Sequence, residues 1–346
     1  MKILLASTYL PPRPGGAERV VWETAKRLAQ DHDVHLLTTE QSPEENAPAR
    51  LAIHRVPDTP AKPLFYTTFG RVTLKRIMEQ NDFDAIHCHI ALPWGYLLRR
   101  SKKLVITCHG SEIASKGISK WMAAAALRKA EAVTAPSSWL AELVHERYAV
   151  KCCVIPNGVD TQSYRPSKDV KCRENVVLYV GRLLERKGVL ELVQAAKVLK
   201  NYEFWIAGEG PLKNITSLHN IKWLGFVQNL ADLYNRATIC VFPSQWEPFG
   251  MVALEAMACE KAVVATNTGF SDFIEHSKDG VLVTAGNLNE LISSITSLME
   301  DRHMREKIGK QARSKALAFD WRIITRIYER LYEDLISRRP REVESP

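Results

Sequence analysis

The chain has 346 residues, of which 46% are hydrophobic and 25% charged, and it carries a net charge of +8. This length excludes a single ordinary core and predicts two domains, and the composition is that of a soluble globular protein. The apolar run from Ile3 to Ala6 is too short for a signal peptide, and seven cysteines without CxxC spacing favour a reducing compartment, so we expect a cytoplasmic protein without a membrane span.

The first half of the chain alternates short apolar runs with stretches of helical length. In the helical stretch 17–30, Val20, Val21, Thr24 and Leu28 share one face. The apolar runs are continuous rather than alternating, which is typical of buried parallel strands joined by right-handed crossovers. The predicted strands are KILLAS (2–7), VHLLTT (34–39), AIHCHI (85–90), LVITCH (104–109), AVTAPS (132–137) and CVIPNG (153–158).

A polar stretch over 157–175, with Asn-Gly and Pro signals, predicts a linker, after which the α/β pattern restarts. The last predicted helix spans 321–335 and precedes a charged tail. Further strands are predicted at VVLYVG (176–181), FWIAG (204–208), KWLGF (222–226), ICVFP (239–243), AVVAT (262–266) and VLVTA (281–285).

These patterns predict an α/β fold of two Rossmann-like doubly wound domains facing a central cleft. We place the N-terminal domain at 1–160 and the second domain at 161–320. The final segment, 321–346, is expected to pack back on the N-terminal domain.

Gly15 and Gly16 lie between the first predicted strand and the first predicted helix, where such folds bind phosphate. A glycine pair permits close approach of a ligand to the backbone. The segment lacks GxGxxG spacing, which excludes a dinucleotide fingerprint, and a plain turn would also explain it.

Three histidines lie at the ends of two predicted strands. His87 and His89 end one strand, and His109, followed by Gly110, ends the next. Because neighbouring parallel strands end at one edge of the sheet, we expect one of the three, His109, to face a substrate. A zinc site formed by all three is an alternative, although no further ligand has matching spacing.

The run GRLLERKG (181–188) follows a predicted strand and opens a helix. Arg182 and Lys187 are five positions apart and could converge on one diphosphate, where two cations and a helix N-terminus would stabilise a leaving group. A solvated loop is the alternative. Glu209 in AGEGP ends another predicted strand and could approach the same ligand, although turn formation alone would explain its glycine neighbours.

The segment QWEPFGMVALEAMA carries two carboxylates, Glu247 and Glu255. Glu247 precedes a Pro-Phe-Gly turn, and Glu255 lies in a predicted helix of small residues. Exposed N–H groups at a helix start attract anions, and carboxylates accept hydrogen bonds from hydroxyls. This combination favours a bound sugar nucleotide.

The positive charge is concentrated in residues 97–129, where Glu112 is the only acid. Such a cluster favours an anionic partner, either acidic lipid headgroups or a phosphorylated substrate, with a solvated face as the alternative. The basic residues are Arg99, Arg100, Lys102, Lys103, Lys116, Lys120, Arg128 and Lys129.

Taken together, these motifs resemble glycosyltransferase family 4, the glycosyl transferases group 1, whose members are retaining, nucleotide-sugar-dependent enzymes with the GT-B fold. The resemblance covers almost the whole chain and keeps the order of the motifs. The matching segments are PPRPGGAER, DAIHCHIALP, TCHG, AVTAPSSWL, VIPNGVDTQSYRP, VGRLLERKG, AGEGP, LGFVQNLADLYNRATICVFPSQWEPFGMVALEAMA and FDWRIITRIYERLY.

The resemblance implies roles for individual residues. Glu247 would hold donor-sugar hydroxyls and Glu255 the ribose hydroxyls, while Arg182 and Lys187 would clamp the diphosphate. His109 would contact the donor sugar near the reacting carbon. The other implied contacts are the backbone of Phe249, Gly250, Met251 and Val252 at the helix start, Phe226 and Val227 along the base, and Gly15 and Gly16 at the donor phosphate.

The implied reaction moves a hexosyl group from GDP-mannose or a UDP-sugar to a hydroxyl acceptor, such as a lipid-linked or other glycan precursor. It would need no metal or other cofactor, because the Arg–Lys pair and the helix dipole take that place. No carboxylate is placed as a nucleophile, so the leaving phosphate oxygen would deprotonate the acceptor itself. One departure from the family is the turn after 262–266, which has Gly269 alone where paired glycines are usual.

We expect no nucleic-acid partner. We expect residues 97–129 to face an anionic membrane, so that the protein would be bound peripherally to the inner face of that membrane. A soluble sugar or a protein acceptor is left open. Two rival interpretations are a nucleotide-sugar epimerase or hydrolase of the same architecture and a non-catalytic protein that binds sugar nucleotides.

Overall fold

The computed structural model describes residues 1–11, 15–39, 47–56, 68–216 and 218–337. The chain divides into two compact units, the first formed by Met1–Pro156 with Trp321–Pro346 and the second by Asn157–Asp320. The boundary that the sequence predicts, between 160 and 161, lies just beyond the one between the units. The C-terminal segment from 321 groups with the first unit.

Among the described residues, the first unit has one seven-stranded parallel sheet. Its strands are β1 (Lys2–Ala6), β2 (Asp33–Thr38), β3 (Leu51–Arg55), β4 (Ala85–Cys88), β5 (Leu104–Thr107), β6 (Ala132–Ala135) and β7 (Cys153–Val154). They lie in the order β3-β2-β1-β4-β5-β6-β7, and each neighbouring pair is parallel. The predicted buried parallel sheet is therefore confirmed for this unit.

Two strands differ from the prediction. Strand β3 was not predicted, because its sequence LAIHR is short and only partly apolar, and only one of its five side chains is buried. The strand predicted over 153–158 contains only the two residues of β7. Pro156 and the following Asn-Gly pair cannot continue a ladder, which ends the strand early.

The helices of the first unit that precede the second unit are α1 (Gly16–Asp31), α2 (Phe69–Gln80), α3 (Gly117–Leu127) and α4 (Ser138–Tyr148). Between β4 and β5 lies a short helical segment, Ala91–Gly95 continued by Tyr96–Leu98. In α1, the four residues predicted to share a face are all buried. The helical period of the sequence therefore identified the packed side of α1 correctly.

The second unit has, in its described residues, a six-stranded parallel sheet. Its strands are β8 (Val176–Val180), β9 (Glu203–Ala207), β10 (Ile221–Gly225), β11 (Ile239–Phe242), β12 (Val263–Thr266) and β13 (Val281–Val283). They lie in the order β10-β9-β8-β11-β12-β13. Helices cover both faces of the sheet, and every residue of β8, β11 and β12 is buried.

The helices of the second unit are α5 (Val189–Val198), α6 (Leu230–Arg236), α7 (Met251–Ala258), α8 (Leu288–Glu300) and α9 (Arg302–Leu317). Short 3-10 helices lie at Glu185–Lys187, Pro211–Thr216 and Gly269–Asp272. Apolar side chains fill the space on each side of the sheet and form two separate clusters.

The last helix, α10 (Trp321–Ser337), belongs to the first unit although it follows the second in sequence. It contacts α1 and β4. Trp321, Ile324, Tyr328, Tyr332 and Leu335 are buried along it at intervals of three or four residues, which is the spacing of one helix face. No helix in the described ranges is both apolar and long enough to cross a bilayer.

Both sheets reverse their strand order at one place, between β1 and β4 in the first unit and between β8 and β11 in the second. In open parallel sheets, ligands bind beyond the carboxyl ends of the strands that flank such a switch point. The loops after β8 and β11, and those after β1 and β4, are therefore the places where the fold itself predicts a site.

Candidate functional site

The loops after β8 and β11 come into direct backbone contact. The first loop ends at Gly188, which has φ 71° and begins α5. A Cβ atom at Gly188 would lie 1.9 Å from the carbonyl oxygen of Pro243, the first residue after β11. Only glycine permits this approach, and the contact sets Lys187 beside the loop that carries Glu247.

Lys187 and Glu247 form an ion pair, with 2.5 Å between Nζ and Oε2. Their side chains are 18% and 12% exposed, so water screens the attraction less than it does for a surface pair. Two residues that the sequence predicted for different parts of a ligand are thus neighbours. An anionic group at Lys187 and a hydroxyl at Glu247 would lie side by side.

Arg182 lies at the rim of the same loop, with its side chain exposed. Its backbone is fixed by Tyr179, whose hydroxyl donates to the Arg182 carbonyl oxygen over 3.0 Å. Burial, reinforced by the nearby Glu247 charge, raises the pKa of Tyr179, so the hydroxyl remains a donor. Tyr179 was not predicted as a site residue, because it lies inside the apolar run of β8; a phenol in such a run, followed by Val-Gly-Arg, was the available signal.

The helix α7 begins directly after the Glu247 loop, and no side chain caps its N-terminus. Its preceding residue, Gly250, has φ 96°, and a Cβ there would lie 2.0 Å from the Phe270 ring. Phe249 is 1% exposed and packs on Phe273, with ring centroids 4.9 Å apart. Any ligand contact of Phe249 would therefore come from its backbone, as the sequence comparison implied.

The turn after β12 packs on the same loop through its single glycine. The N–H of Gly269 donates to the carbonyl oxygen of Glu247 over 3.0 Å. A Cβ at Gly269 would lie 2.5 Å from that oxygen and from the Pro248 carbonyl. The Glu247 backbone therefore leaves room only for glycine at position 269, which is the single glycine of this turn.

Glu255 lies on the buried side of α7 and is 3% exposed. It accepts a hydrogen bond from the hydroxyl of Tyr234 on α6, over 3.0 Å between the oxygens. Burial is the main cause that raises the pKa of Tyr234, and the Glu255 charge adds to it. Tyr234 is the second residue that sequence reasoning missed, since it lies 21 positions away and has the spacing of a core residue.

The glycines of AGEGP do more than form a turn. A Cβ at Gly208 would lie 1.9 Å from the Gly181 carbonyl oxygen, and one at Gly210 would lie 2.5 Å from that of Leu183. The loop after β9 is therefore pressed against the loop that carries Arg182. Glu209 between them has an exposed side chain, and its carbonyl oxygen accepts the Leu183 N–H over 2.9 Å.

Phe226 and Val227 follow β10 immediately and differ in burial. Phe226 is 71% exposed, whereas Val227 packs against the apolar cluster of the second unit. An aromatic ring held in solvent at a strand end offers a flat surface on which a base can stack.

In the first unit, His87, His89 and His109 form a stack. Ring centroids are 4.1 Å apart for His87–His89 and 5.5 Å for His89–His109, and His89 Nδ1 lies 3.3 Å from His109 Nε2. His87 also bonds the Tyr332 hydroxyl at 2.7 Å and the Thr107 hydroxyl at 2.6 Å. Desolvation lowers the pKa of His87 to about 3 and of His109 to about 4, so the rings are neutral at pH 7.

The three histidines do not form the alternative zinc site. Among the residues that the structure describes, no group of three His, Cys, Asp or Glu side chains is arranged to hold a metal ion. The stack instead connects the edge of the sheet to α10 through Tyr332.

The loop that carries His109 is fixed by Glu112, a buried carboxyl that is 3% exposed. It accepts the backbone N–H groups of Ala91 and Gly110 over 3.2 and 3.1 Å. Gly110 has φ 101°, which favours glycine at this position. In the sequence, Glu112 is distinguished only as the single acid of the basic segment. Its burial gives it this structural role.

Gly15 and Gly16 lie directly at the start of α1. A Cβ at Gly15 would lie 1.9 Å from Oε2 of Glu18, so the Glu18 carboxyl covers this helix start. Residues 12–14 of the same segment lie outside the described residues.

Two family models match the sequence. The model described as Glycosyl transferases group 1 matches residues 160–315, and the model described as Glycosyltransferase Family 4 matches residues 14–163. The chain is similar to an uncharacterized glycosyltransferase of Methanocaldococcus jannaschii, with 30% identity over 97% of this chain and 99% of that protein. It is also similar to N-acetyl-alpha-D-glucosaminyl L-malate synthase of Bacillus anthracis, with 24% identity over 97% of this chain and 98% of that protein.

Solved structures resemble the whole chain. Sucrose-phosphate synthase from Thermosynechococcus elongatus superposes with a TM-score of 0.84 at 25% identity, covering 97% of this chain and 99% of that one. HepE of Anabaena, crystallised in complex with UDP-glucose, superposes with a TM-score of 0.78 at 22% identity, covering 98% of this chain and 100% of that one.

Proposed function

Since the chain belongs to glycosyltransferase family 4 and has the GT-B fold of two Rossmann-like domains, we propose that it transfers a hexosyl group from a nucleoside-diphosphate sugar to a hydroxyl acceptor with retention of anomeric configuration. The observation that carries this proposal is the largely buried Lys187–Glu247 pair beside the uncapped N-terminus of α7. A cation, a carboxylate and a helix N-terminus at a sheet switch point suit a ligand that joins a diphosphate to a sugar.

In the proposed reaction, the bond between the anomeric carbon and the phosphate oxygen breaks as the acceptor oxygen bonds to the same carbon. The acceptor proton passes to the leaving diphosphate, which serves as the base. Lys187 and Arg182, together with the N-terminus of α7, would stabilise the charge that develops on the diphosphate. Glu247 would accept hydrogen bonds from the transferred sugar and hold it in position.

Two further donor contacts are part of the proposal. The exposed Phe226 ring would stack on the base, and the Glu255 carboxylate would accept the ribose hydroxyls at the inner end of the site. The contacts of His109, Gly15, Gly16 and Glu209 with the donor stay predictions made from the sequence. We further propose that no metal ion is required, since the two cations and the helix dipole supply the positive charge.

The acceptor that we propose is a lipid-linked or other glycan precursor. Its support is the basic segment 97–129, which would bring the protein to an anionic surface from the cytoplasmic side.

The test is a donor panel. UDP-glucose, other UDP-sugars, GDP-mannose and an ADP-sugar are compared by thermal shift, with and without EDTA, because a bound ligand raises the melting temperature of the folded state. Donors that stabilise the protein are then incubated with and without glycan acceptors, and the anomeric configuration of the product is read from its NMR coupling constant. UDP-glucose is tested first because it is the ligand of the HepE structure.

Each rival interpretation predicts a different outcome. Rapid consumption of the donor without an acceptor would favour a hydrolase or epimerase. Donor binding without turnover in the presence of every acceptor tested would favour a non-catalytic protein. An inverted product would contradict the retaining mechanism, and loss of activity in EDTA would contradict the metal-free one.

A further inference from the structure

Two histidines of the first unit, His89 and His109, lie edge to edge. Nδ1 of His89 is 3.3 Å from Nε2 of His109, the ring planes differ by 13°, and the ring centroids are 5.5 Å apart. The centroid separation is therefore close to the nitrogen separation plus one radius of each ring. The line between the two nitrogens thus lies close to both ring planes, which is the direction in which a ring N–H or a lone pair points.

Both rings are neutral at pH 7, so each has one nitrogen that donates and one that accepts. Burial lowers the pKa of His109 to about 4. Burial also lowers the pKa of His89 well below its usual value, and the neighbouring His87 and His109 add to that effect. The bond between the two rings then has two possible arrangements. Either His89 donates from Nδ1, or His109 donates from Nε2.

The second nitrogen of His89 decides between the two arrangements. Nε2 of His89 is enclosed and has no hydrogen-bond partner among the described residues. The nearest ring, His87, uses its own nitrogens for the hydroxyls of Tyr332 and Thr107. If His109 donated, the proton of His89 would be on Nε2, and a buried N–H would lack an acceptor. If His89 donates, Nε2 holds only a lone pair, and proteins tolerate an unused acceptor better than an orphaned N–H.

We propose that His89 is a positioning residue, which donates its Nδ1 proton to Nε2 of His109 and so keeps the proton of His109 on Nδ1. The bond to His89 is the one hydrogen bond that the His109 ring makes with the described residues, and the side chain is half-buried. The Nδ1–H of His109 is therefore available to a ligand. It is a hydrogen-bond donor, whose counterpart is an oxygen lone pair, and it cannot remove a proton from a hydroxyl.

The ligand of His109 is the one respect in which this inference rests on the proposed function. In the proposed transfer, the Nδ1–H donates to a hydroxyl oxygen of the donor sugar, and the leaving diphosphate remains the base. The loop after His109 fixes the direction of the ring, since the Gly110 N–H donates to Glu112 over 3.1 Å and Gly110 has φ 101°. The tautomer is a property of the protein without any ligand, so it can be measured separately from the transfer.

The experiment is nitrogen NMR of the full chain with isotopically labelled histidine rings, at pH 7 and without ligand. Correlations between ring protons and ring nitrogens distinguish the two neutral tautomers from each other and from the imidazolium, and His109→Gln identifies the His109 signals. The wild type should show His109 with its proton on Nδ1. In His89→Leu, which removes the bond, His109 should lose this preference and populate the tautomer with its proton on Nε2.

Two further variants separate positioning from packing. His89→Asn places an amide N–H where Nδ1 lies and should keep His109 protonated on Nδ1. His54→Leu is the matched control, because it removes a bond of 2.9 Å between the same two ring nitrogens of another pair, His35 and His54, and should leave the His109 tautomer unchanged. With donor and acceptor present, His89→Leu should lower kcat/KM by about tenfold, the contribution of one hydrogen bond, and His89→Asn should stay within about threefold of the wild type.

Three outcomes would overturn the proposal. They are a wild-type His109 protonated on Nε2 or on both nitrogens, an unchanged His109 tautomer in His89→Leu, and an unchanged kcat/KM in that variant when the wild type transfers sugar. If His89→Leu does not fold, the wild-type spectrum and His89→Asn still decide. A wild type that transfers no sugar would contradict the proposed function instead, and the tautomer measured without ligand would stand apart from that failure.

Discussion

Lys187 holds its ammonium group in a place where water screens it little and a carboxylate lies next to it. Replacing it with alanine should remove one of the groups that stabilise the leaving diphosphate. We expect Lys187→Ala to lower the turnover rate by about 10²–10³-fold, or roughly 3–4 kcal/mol of barrier, by analogy with the loss of an oxyanion donor. The measurement is initial rates at saturating donor and acceptor.

The matched control for that change is Lys197→Ala, which removes an exposed lysine from α5 without approaching the site. It should retain wild-type turnover. If Lys187→Ala stays within about threefold of the wild type, Lys187 does not act on the leaving group, whatever its effect on donor affinity.

At the scale of residues, the sequence indicated which side chains belong to the candidate site better than it indicated which other side chains they contact. Lys187 and Glu247 were both predicted as site residues, but nothing local indicates that two side chains 60 positions apart form an ion pair. Tyr179 and Tyr234 lie in apolar runs, where a tyrosine has the pattern of a core residue. Their hydroxyl partners, the Arg182 carbonyl and the Glu255 carboxylate, are known only from the packing of separate elements.

At the scale of elements, the start of α7 depends on Gly250. Alanine at this position would combine a left-handed backbone, φ 96°, with a Cβ 2.0 Å from the buried Phe270 ring. We expect Gly250→Ala to lower the free energy of unfolding by about 2–4 kcal/mol, the sum of backbone strain and overpacking. It should also weaken donor binding, because the N-terminus of α7 must shift.

Gly286→Ala separates the two causes. Gly286 has φ 81°, but a Cβ there would meet nothing within 4 Å, so only the backbone strain of about 1 kcal/mol should appear. Urea unfolding of both variants measures the difference. Equal losses of stability would mean that the Phe270 contact contributes nothing.

Elements with long apolar runs were predictable because their burial on both faces leaves a continuous signal. The short strands were not. Strand β3 is only partly apolar, and the strand predicted over 153–158 ends where Pro156 and Asn157 follow Ile155. The glycines of AGEGP could not be interpreted from the sequence either, because a turn and a close approach of two backbones both favour glycine. The contact between Gly208 and the Gly181 backbone shows that close approach is the reason here.

At the scale of the whole molecule, the two units share one strand order but differ in how they bury titratable groups. In the first unit, burial lowers the pKa of five histidines: His35, His54, His87, His89 and His109. The second unit has its histidines on the surface in its described part, and burial there raises the pKa of an acid, Asp279. No sequence pattern predicts this asymmetry, because it follows from which histidines the sheet and α10 enclose.

Acidification from pH 7 to 5 should therefore destabilise the first unit more than the second. Unfolded histidines gain a proton near pH 6.5, whereas folded His109 and His87 stay neutral down to about 4 and 3. The unfolded state thus binds more protons in this window, so stability is full above about pH 6.5 and falls with pH, by up to about tenfold in the unfolding equilibrium per pH unit for each histidine.

Two buried acids act in the opposite direction. Burial raises the pKa of Glu112 in the first unit and of Asp279 in the second, so each favours the folded state as pH falls. One such acid opposes five histidines in the first unit, whereas Asp279 has no buried histidine to oppose among the described residues of the second.

Amide exchange at pH 7, 6 and 5, corrected for intrinsic rates, should show protection lost in β4 and β5 and retained in β8 and β11. In His54→Gln, which removes one titrating ring, the loss in the first unit should be less steep. A parallel loss of protection in both units would show that the enclosed histidines do not set the acid sensitivity of this fold.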